Sequence, residues 1–182
     1  MVNLRLAVAL ALCAGAAMAE DRSVVIANGD YRHLPTMEVG TAAPDALRAA
    51  GFRVVSGVDL KASEIRPALA DLLREDADPG ARLVLLSGRF AHSASDSWFF
   101  GTDAEAPDLV TADLQGVPLS VVIDLLGQKK GGAVLFLAQS DDESELGAGL
   151  AAGIGDLVLP DGVSVVQGAP RAIESAVNLY LQ

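Results

Sequence analysis

Short β-branched and aliphatic runs alternate along this chain with longer segments of helical period. This is the pattern of an α/β layer fold with a largely parallel sheet. Five strands are expected: Ser23 to Ala27, closed by the turn pair Asn28-Gly29, then Phe52 to Ser56, Arg82 to Ser87, Ala133 to Ala138 and Val163 to Gln167. Most are near-continuous apolar runs, as strands covered on both faces are. Ser63 is placed to cap a helix whose Ile65, Leu69, Leu72 and Leu73 share one face, and Pro118 to open one carrying Leu119, Val122, Ile123 and Leu126. Ser140-Asp141-Asp142-Glu143 fits a capping box and predicts a helix start after the fourth strand. A last helix is expected from Pro170 to Leu181, with Ile173, Ala176, Val177 and Tyr180 on one face. Pro160-Asp161-Gly162 signals a turn, which leaves two readings open: loop plus strand, or a small hairpin of Asp156 to Leu159 with Val163 to Gln167.

The first 19 of the 182 residues read as a removable leader. Arg5 and the amino terminus form a thin positive region, Leu6 to Ala16 is apolar, and Ala17-Met18-Ala19 supplies a small-x-small cleavage signature. The apolar run is too short to span a bilayer. Removing the leader leaves a single domain, residues 20–182, with 12 basic and 24 acidic side chains, a formal net charge of −12. It also takes away Cys13, the one cysteine. An exported, periplasmic or secreted chain is expected, and without a thiol it can form no disulfide and use no cysteine nucleophile. The negative charge and the lack of any Lys/Arg cluster beyond Lys129-Lys130 count against nucleic acid and anionic membranes as partners.

Several features taken in chain order resemble one family. Asn28-Gly29-Asp30-Tyr31 follows the first strand, Asp45-Ala46-Leu47 precedes Gly51-Phe52-Arg53-Val54, and Leu83 to Leu86 leads into Ser87-Gly88. Trp98-Phe99-Phe100-Gly101-Thr102-Asp103-Ala104 comes next, before the strand Val134 to Ala138. Together these resemble the caspase and metacaspase-like cysteine peptidases over roughly residues 23–140. The resemblance implies a three-layer α/β/α sandwich on a mostly parallel five-stranded sheet, with strand order 2-1-3-4-5. A substrate or partner groove at the strands' carboxyl ends would be bordered by Asn28, Tyr31, Ser87, Gly88, Arg89, Leu137 and Gln139, although the plainer role of Asn28 to Tyr31 is a turn with Tyr31 packed on its scaffold.

That family's chemistry needs a thiolate beside a histidine, with backbone N–H groups holding the oxyanion. This chain departs at both reacting positions. Arg89 follows Ser87-Gly88 where the family has histidine, and Gln139 stands 50 positions later at the place of the cysteine, a spacing about that of the caspase dyad. A guanidinium is no general base, and an amide is no nucleophile at neutral pH. Leu137 replaces the acidic residue with which metacaspase-like members receive a basic side chain. No catalytic residue is therefore expected at the family positions.

Ser140 and His92 lie near the two lost positions, so a replacement Ser-His dyad is the competing reading. The plainer roles are a helix cap for Ser140 and an exposed loop residue for His92. His33 and His92 are the only histidines and match no zinc spacing. Asp141-Asp142-Glu143 lacks the interleaved ligands of a calcium loop. Gly147, Gly149, Gly153 and Gly155 lie too far beyond the strand for a dinucleotide fingerprint. Neither metal nor cofactor is expected. The preferred expectation is a pseudo-peptidase that binds a peptide or protein partner; Arg89 and Gln139 facing one cleft mouth could hold a carboxylate, but the favoured reading of Arg89 is a pairing with Asp96, Asp103 or another local acid. The alternatives are a hydrolase acting through Ser140 and His92, and a purely structural domain. Whether two copies pair stays open, because no room is evident for the extra antiparallel strand through which caspases dimerise.

Overall fold

The computed structural model describes residues 20–32, 34–73, 79–128, 132–140 and 145–182. Residues 1–19, expected to form a leader, His33, the Lys129-Lys130 pair and Asp141, Asp142 and Glu143 lie outside them. The principal sheet holds β1 (Glu20–Ala27), β2 (Arg53–Val58), β3 (Pro79–Gly88), β7 (Ala133–Gln139) and β9 (Val163–Gly168), in the order β2-β1-β3-β7-β9. All four pairings are parallel. Counting only these strands, the order is 2-1-3-4-5, and the α/β fold class read from the sequence is the one observed.

Side-chain alternation distributes each central strand between two cores. Val24, Ile26, Val84, Leu86, Leu135 and Leu137 face one side, where they meet α2 (Ala62–Leu69), the 3-10 turn Ala70–Leu73 and α4 (Leu119–Gly127). Val25, Leu83, Leu85, Val134 and Phe136 face the other, against α1 (Ala43–Ala49) and α5 (Pro170–Tyr180). β1 and β7 are therefore buried almost throughout, whereas the edge strands β2 and β9 alternate between covered and exposed positions. That contrast is what a parallel sheet with helices on both faces requires.

The helix boundaries carry most of the corrections. The N-cap of α2 is Lys61, two residues before the cap position read at Ser63: Glu64 accepts the Lys61 N–H at 2.9 Å, and Asp103, from a distant loop, accepts the Ala62 N–H at 2.8 Å. Ile65, Leu69 and Leu72 are buried as expected, but Leu73 points to solvent, because the chain has tightened to 3-10 geometry and rotated it off the shared face. In α4 all four predicted apolar residues are buried, with Pro118 as the N-cap. In α5 Ile173 and Val177 are buried and Tyr180 is half exposed, its ring edge-on to Phe136 at 6.1 Å. The helix start expected at Ser140 falls on residues 141–144, which lie outside the described ones. Residues 145–150 are turn and coil leading to β8 (Ala151–Ala152).

A second, four-stranded antiparallel sheet sits at the carboxyl ends of the parallel strands and has no counterpart in the sequence reading. It runs β6-β5-β4-β8, with β4 (Phe90–His92), β5 (Ser97–Phe100) and β6 (Gly116–Pro118). The short helix α3 (Ala112–Gln115) leads directly into β6. β4 follows β3 after a single residue, so the chain passes from one sheet to the other at Arg89. Ala91, Trp98 and Phe100 build a third core here with Tyr31, Met37, Ala104 and Ala112. Residues 156–159 form no strand, and β9 pairs in parallel with β7, so the region before it is loop plus strand. No described helix is long and apolar enough to cross a membrane.

Leu47 of α1 is fully buried between sheet and α5, whereas Leu114 of α3 is 76% exposed. Leu47→Ala is expected to cost about 2–5 kcal/mol in urea unfolding, and Leu114→Ala to change stability by less than about 0.5 kcal/mol. Equal effects would show that the α1 layer does not pack as described.

Candidate active-site cleft at the β1 and β3 carboxyl ends

Crossovers leave β1 and β3 toward opposite faces of the sheet, since the chain after β1 runs into α1 and the chain after β3 returns through α4. In a doubly wound sheet this reversal opens a crevice at the strands' carboxyl ends, where ligands collect. A cavity of about 180 Å3 lies there, with Tyr31 from the turn after β1 and Arg89 from the residue after β3 in its wall.

The local framework is a set of buried hydrogen bonds. Asn28, fully buried, receives the Leu60 N–H at 2.8 Å and donates to the carbonyls of Leu60 and Phe100, each at 3.1 Å. Its own N–H donates to the Ser87 carbonyl at 2.8 Å. Asp59, at φ +53°, accepts the N–H groups of Gly29 and Asp30 at 2.8 and 2.9 Å. The Tyr31 hydroxyl accepts the Arg89 N–H at 2.9 Å and donates to the Phe100 carbonyl at 3.2 Å. Gly88 lies beneath that hydroxyl, and a Cβ there would come within 2.6 Å of it and 3.0 Å of the Asn28 carbonyl. Only glycine leaves room.

Arg89 is buried, with its guanidinium 5.1 Å from the centre of the Tyr31 ring and Nη2 donating to the Pro35 carbonyl at 3.4 Å. A planar cation held on an aromatic face keeps its fork in one orientation. Burial pushes the Tyr31 phenol far above its ordinary value of 10.0, because the ionised ring would lie in a dry site; the Arg89 N–H and charge oppose this without reversing it.

The expected groove residues separate into two groups. Tyr31 and Arg89 line the cavity. Asn28 and Gly88 build its frame, Leu137 is sunk in the α2/α4 core, and Ser87 is buried with its hydroxyl unbonded. Gln139 is directly opposite Gly88 in the β3–β7 register, so the backbones adjoin as expected, yet its side chain borders a different depression shared with Ser140 and Pro170. Its Oε1 is shut from solvent without a hydrogen-bond partner, 3.6 Å from where a Cβ on Gly153 would lie. Arg89 and Gln139 do not face one cleft mouth. The reason is β4, which carries the chain away from β3 immediately after Arg89 and turns its side chain toward Tyr31.

His92 and Ser140 are likewise set apart. Nδ1 of His92 lies 3.2 Å from the Gly153 carbonyl, and the ring borders an open depression with Ser93, Ser95, Asp96 and Asp156, whereas Ser140 borders that of Gln139. No hydrogen bond joins the two. Among the described residues no group of three or more His, Asp or Glu side chains is placed to hold a metal ion.

The sequence reading missed the rest of the cavity wall. Arg32 and Leu34 follow Tyr31; Glu105 and Pro107 come from the loop after β5, and Glu145 and Leu146 from the segment before β8. Ala106, in the same wall, holds φ +38°, a left-handed conformation uncommon for a residue with a Cβ. The switch-point rule alone points to residues just after β1 and β3, but nothing in the local pattern links 105–107 or 145–146 to them. Compared with protein-family models and with curated proteins, the chain has no match.

Asn28→Ala removes three side-chain bonds and leaves the Leu60 N–H without its acceptor, so a loss of about 2–4 kcal/mol is expected, readable from urea midpoints. The raised Tyr31 pKa carries its own sign. The folded state keeps the phenol protonated where the unfolded chain ionises, so this contribution is complete below about pH 10 and falls as pH rises beyond it. Tyr31→Phe should be less stable than the parent at pH 8 and show a shallower decline above pH 10. Parallel pH profiles would contradict the assignment.

Proposed function

We propose that this chain is an exported caspase-like domain without peptidase chemistry, and that it binds a peptide or partner protein at the Arg89 cavity. The observation that carries the reading is a buried guanidinium, braced on Tyr31, in the wall of a cavity at the sheet's switch point. A guanidinium held in one orientation presents a planar fork of donors to the cavity, a geometry that suits carboxylate and carbonyl oxygens of a peptide. The strand order and the ordered sequence features support the family likeness. The loss of chemistry rests on Arg89 and Gln139 at the dyad positions and on the separation of His92 from Ser140 into different depressions.

Purified protein can be offered a mixed peptide library with free and amidated carboxyl termini, with retention and cleavage both read by mass spectrometry. The expected outcome is retention without cleavage. Arg89→Lys, which keeps the charge and loses the fork, should weaken retention about five- to ten-fold with the urea midpoint little changed. Cleavage abolished by both Ser140→Ala and His92→Ala would overturn the reading in favour of a serine hydrolase. Neither retention nor cleavage would leave a structural domain.

A further inference from the structure

The Arg89 cavity has a buried apolar floor and an exposed, charged rim. Tyr31, Phe100, Ala104 and Pro107 are buried in its depth, Leu34 and Leu146 flank it half-buried, and Arg32, Glu105 and Glu145 are exposed. The two loops that carry the acids are joined, since the Gly147 N–H donates to the Pro107 carbonyl at 2.8 Å and the Leu109 N–H to the Ala148 carbonyl at 3.1 Å. This part of the wall is therefore in place before a ligand arrives, which lowers the cost of binding. The charge around it is one-sided. Residues 90–128 and 131–170, the stretches that supply Glu105, Pro107, Glu145 and Leu146, each contain six acidic residues and no Lys or Arg. Every Lys and Arg of residues 20–182 lies elsewhere in the sequence. Arg32 is outnumbered at the rim, because Asp103 and Asp108 stand two and three residues from Glu105 on the same loop.

We infer that the cavity receives a single apolar side chain, leucine or phenylalanine in size, from a basic segment of a partner protein, whose Lys or Arg residues on either side of that anchor meet Glu105, Glu145 and the acidic surface around them. This rests on reading the Arg89 cavity as a binding site and specifies what it binds. About 180 Å3 is a little more than the roughly 150 Å3 in which an apolar protein cavity takes benzene, so a side chain fits from its Cβ outward and a whole free amino acid does not. Alanine would leave the cavity mostly empty, and the indole of tryptophan would exceed it. One side chain that fills a preformed hole carries most of the affinity of such a contact. The charges around the hole act at longer range: they speed the approach of a cationic segment and turn away an acidic one, as does the net charge of −12 on residues 20–182.

The test is fluorescence anisotropy of the full purified protein with dye-labelled, amidated pentapeptides. A central leucine or phenylalanine is placed between paired lysines, beside the same peptide with central alanine or tryptophan and leucine peptides flanked by serines or by glutamates. Saturable binding of the lysine-flanked leucine or phenylalanine peptide is expected, weakening as salt is raised. Central alanine should weaken it about ten-fold or more, serine flanks about five-fold, and glutamate flanks beyond detection. Glu105→Gln combined with Glu145→Gln, both at exposed positions, should lower the affinity for the lysine-flanked peptide about three- to ten-fold and leave that for the serine-flanked one unchanged, with the urea midpoint of the parent. Leu146→Trp, which fills the cavity, should abolish binding of both while the circular dichroism spectrum stays that of the parent. Equal binding of the leucine and alanine peptides, or glutamate flanks as good as lysine flanks, would overturn the inference. If mixed-library peptides are retained in an Arg89-dependent way but no lysine-flanked peptide binds, the inference falls and the binding-site reading stands. If no peptide of either set binds, both fall.

Discussion

The Tyr31 hydroxyl joins three segments: it accepts the amide of Arg89 at the end of β3, donates to the Phe100 carbonyl at the end of β5, and rests on Gly88. Asn28, three residues earlier, adds bonds to Leu60 and to the same Phe100 carbonyl. The principal sheet and the small antiparallel sheet are therefore tied by side chains from a single turn. The bonds at Tyr31 and the Phe100 carbonyl are buried and those to Leu60 partly so, and each buried bond matters more for what its loss would leave unpaired than for its own strength. The cavity exists because the knot holds β4 and β5 up against the turn after β1.

The same arrangement accounts for the state of Arg89. A guanidinium at a strand end would ordinarily extend its head to solvent. Here the backbone N–H of Arg89 is committed to Tyr31, and the side chain follows onto the ring of the same residue. One aromatic side chain thus fixes both the main chain and the cation. It stays neutral while doing so, because burial raises the cost of ionising the phenol.

Gln139 illustrates how a pairing register and a side-chain position can diverge. Its backbone is opposite Gly88, one residue before Arg89. The side chain instead lies by Gly153 and opens on a depression beside the start of α5. β8, two residues long and paired with β4, brings Gly153 over it. An adjacency predicted from strand order is thus real for the main chain and lost for the side chains, which border different depressions.

The sequence by itself determined the layers. Near-continuous apolar runs at 23–27, 82–87 and 133–138 can be buried only in the middle of a doubly covered sheet, and the helical faces of α4 and α5 follow from spacing alone, because these signals are local and repeat many times. It also marked Tyr31 and Arg89 as residues of interest at strand ends. What only the tertiary structure decided is whatever depends on one or two long-range bonds: the start of α2, capped by Asp103 from 41 residues away; the second sheet, whose strands of two to four residues are too short to leave a periodic trace; and the cavity wall, collected from four separate stretches of chain. Periodicity reports which face of an element is buried, not which distant loop will lie against it, and the cavity is made mostly of such loops.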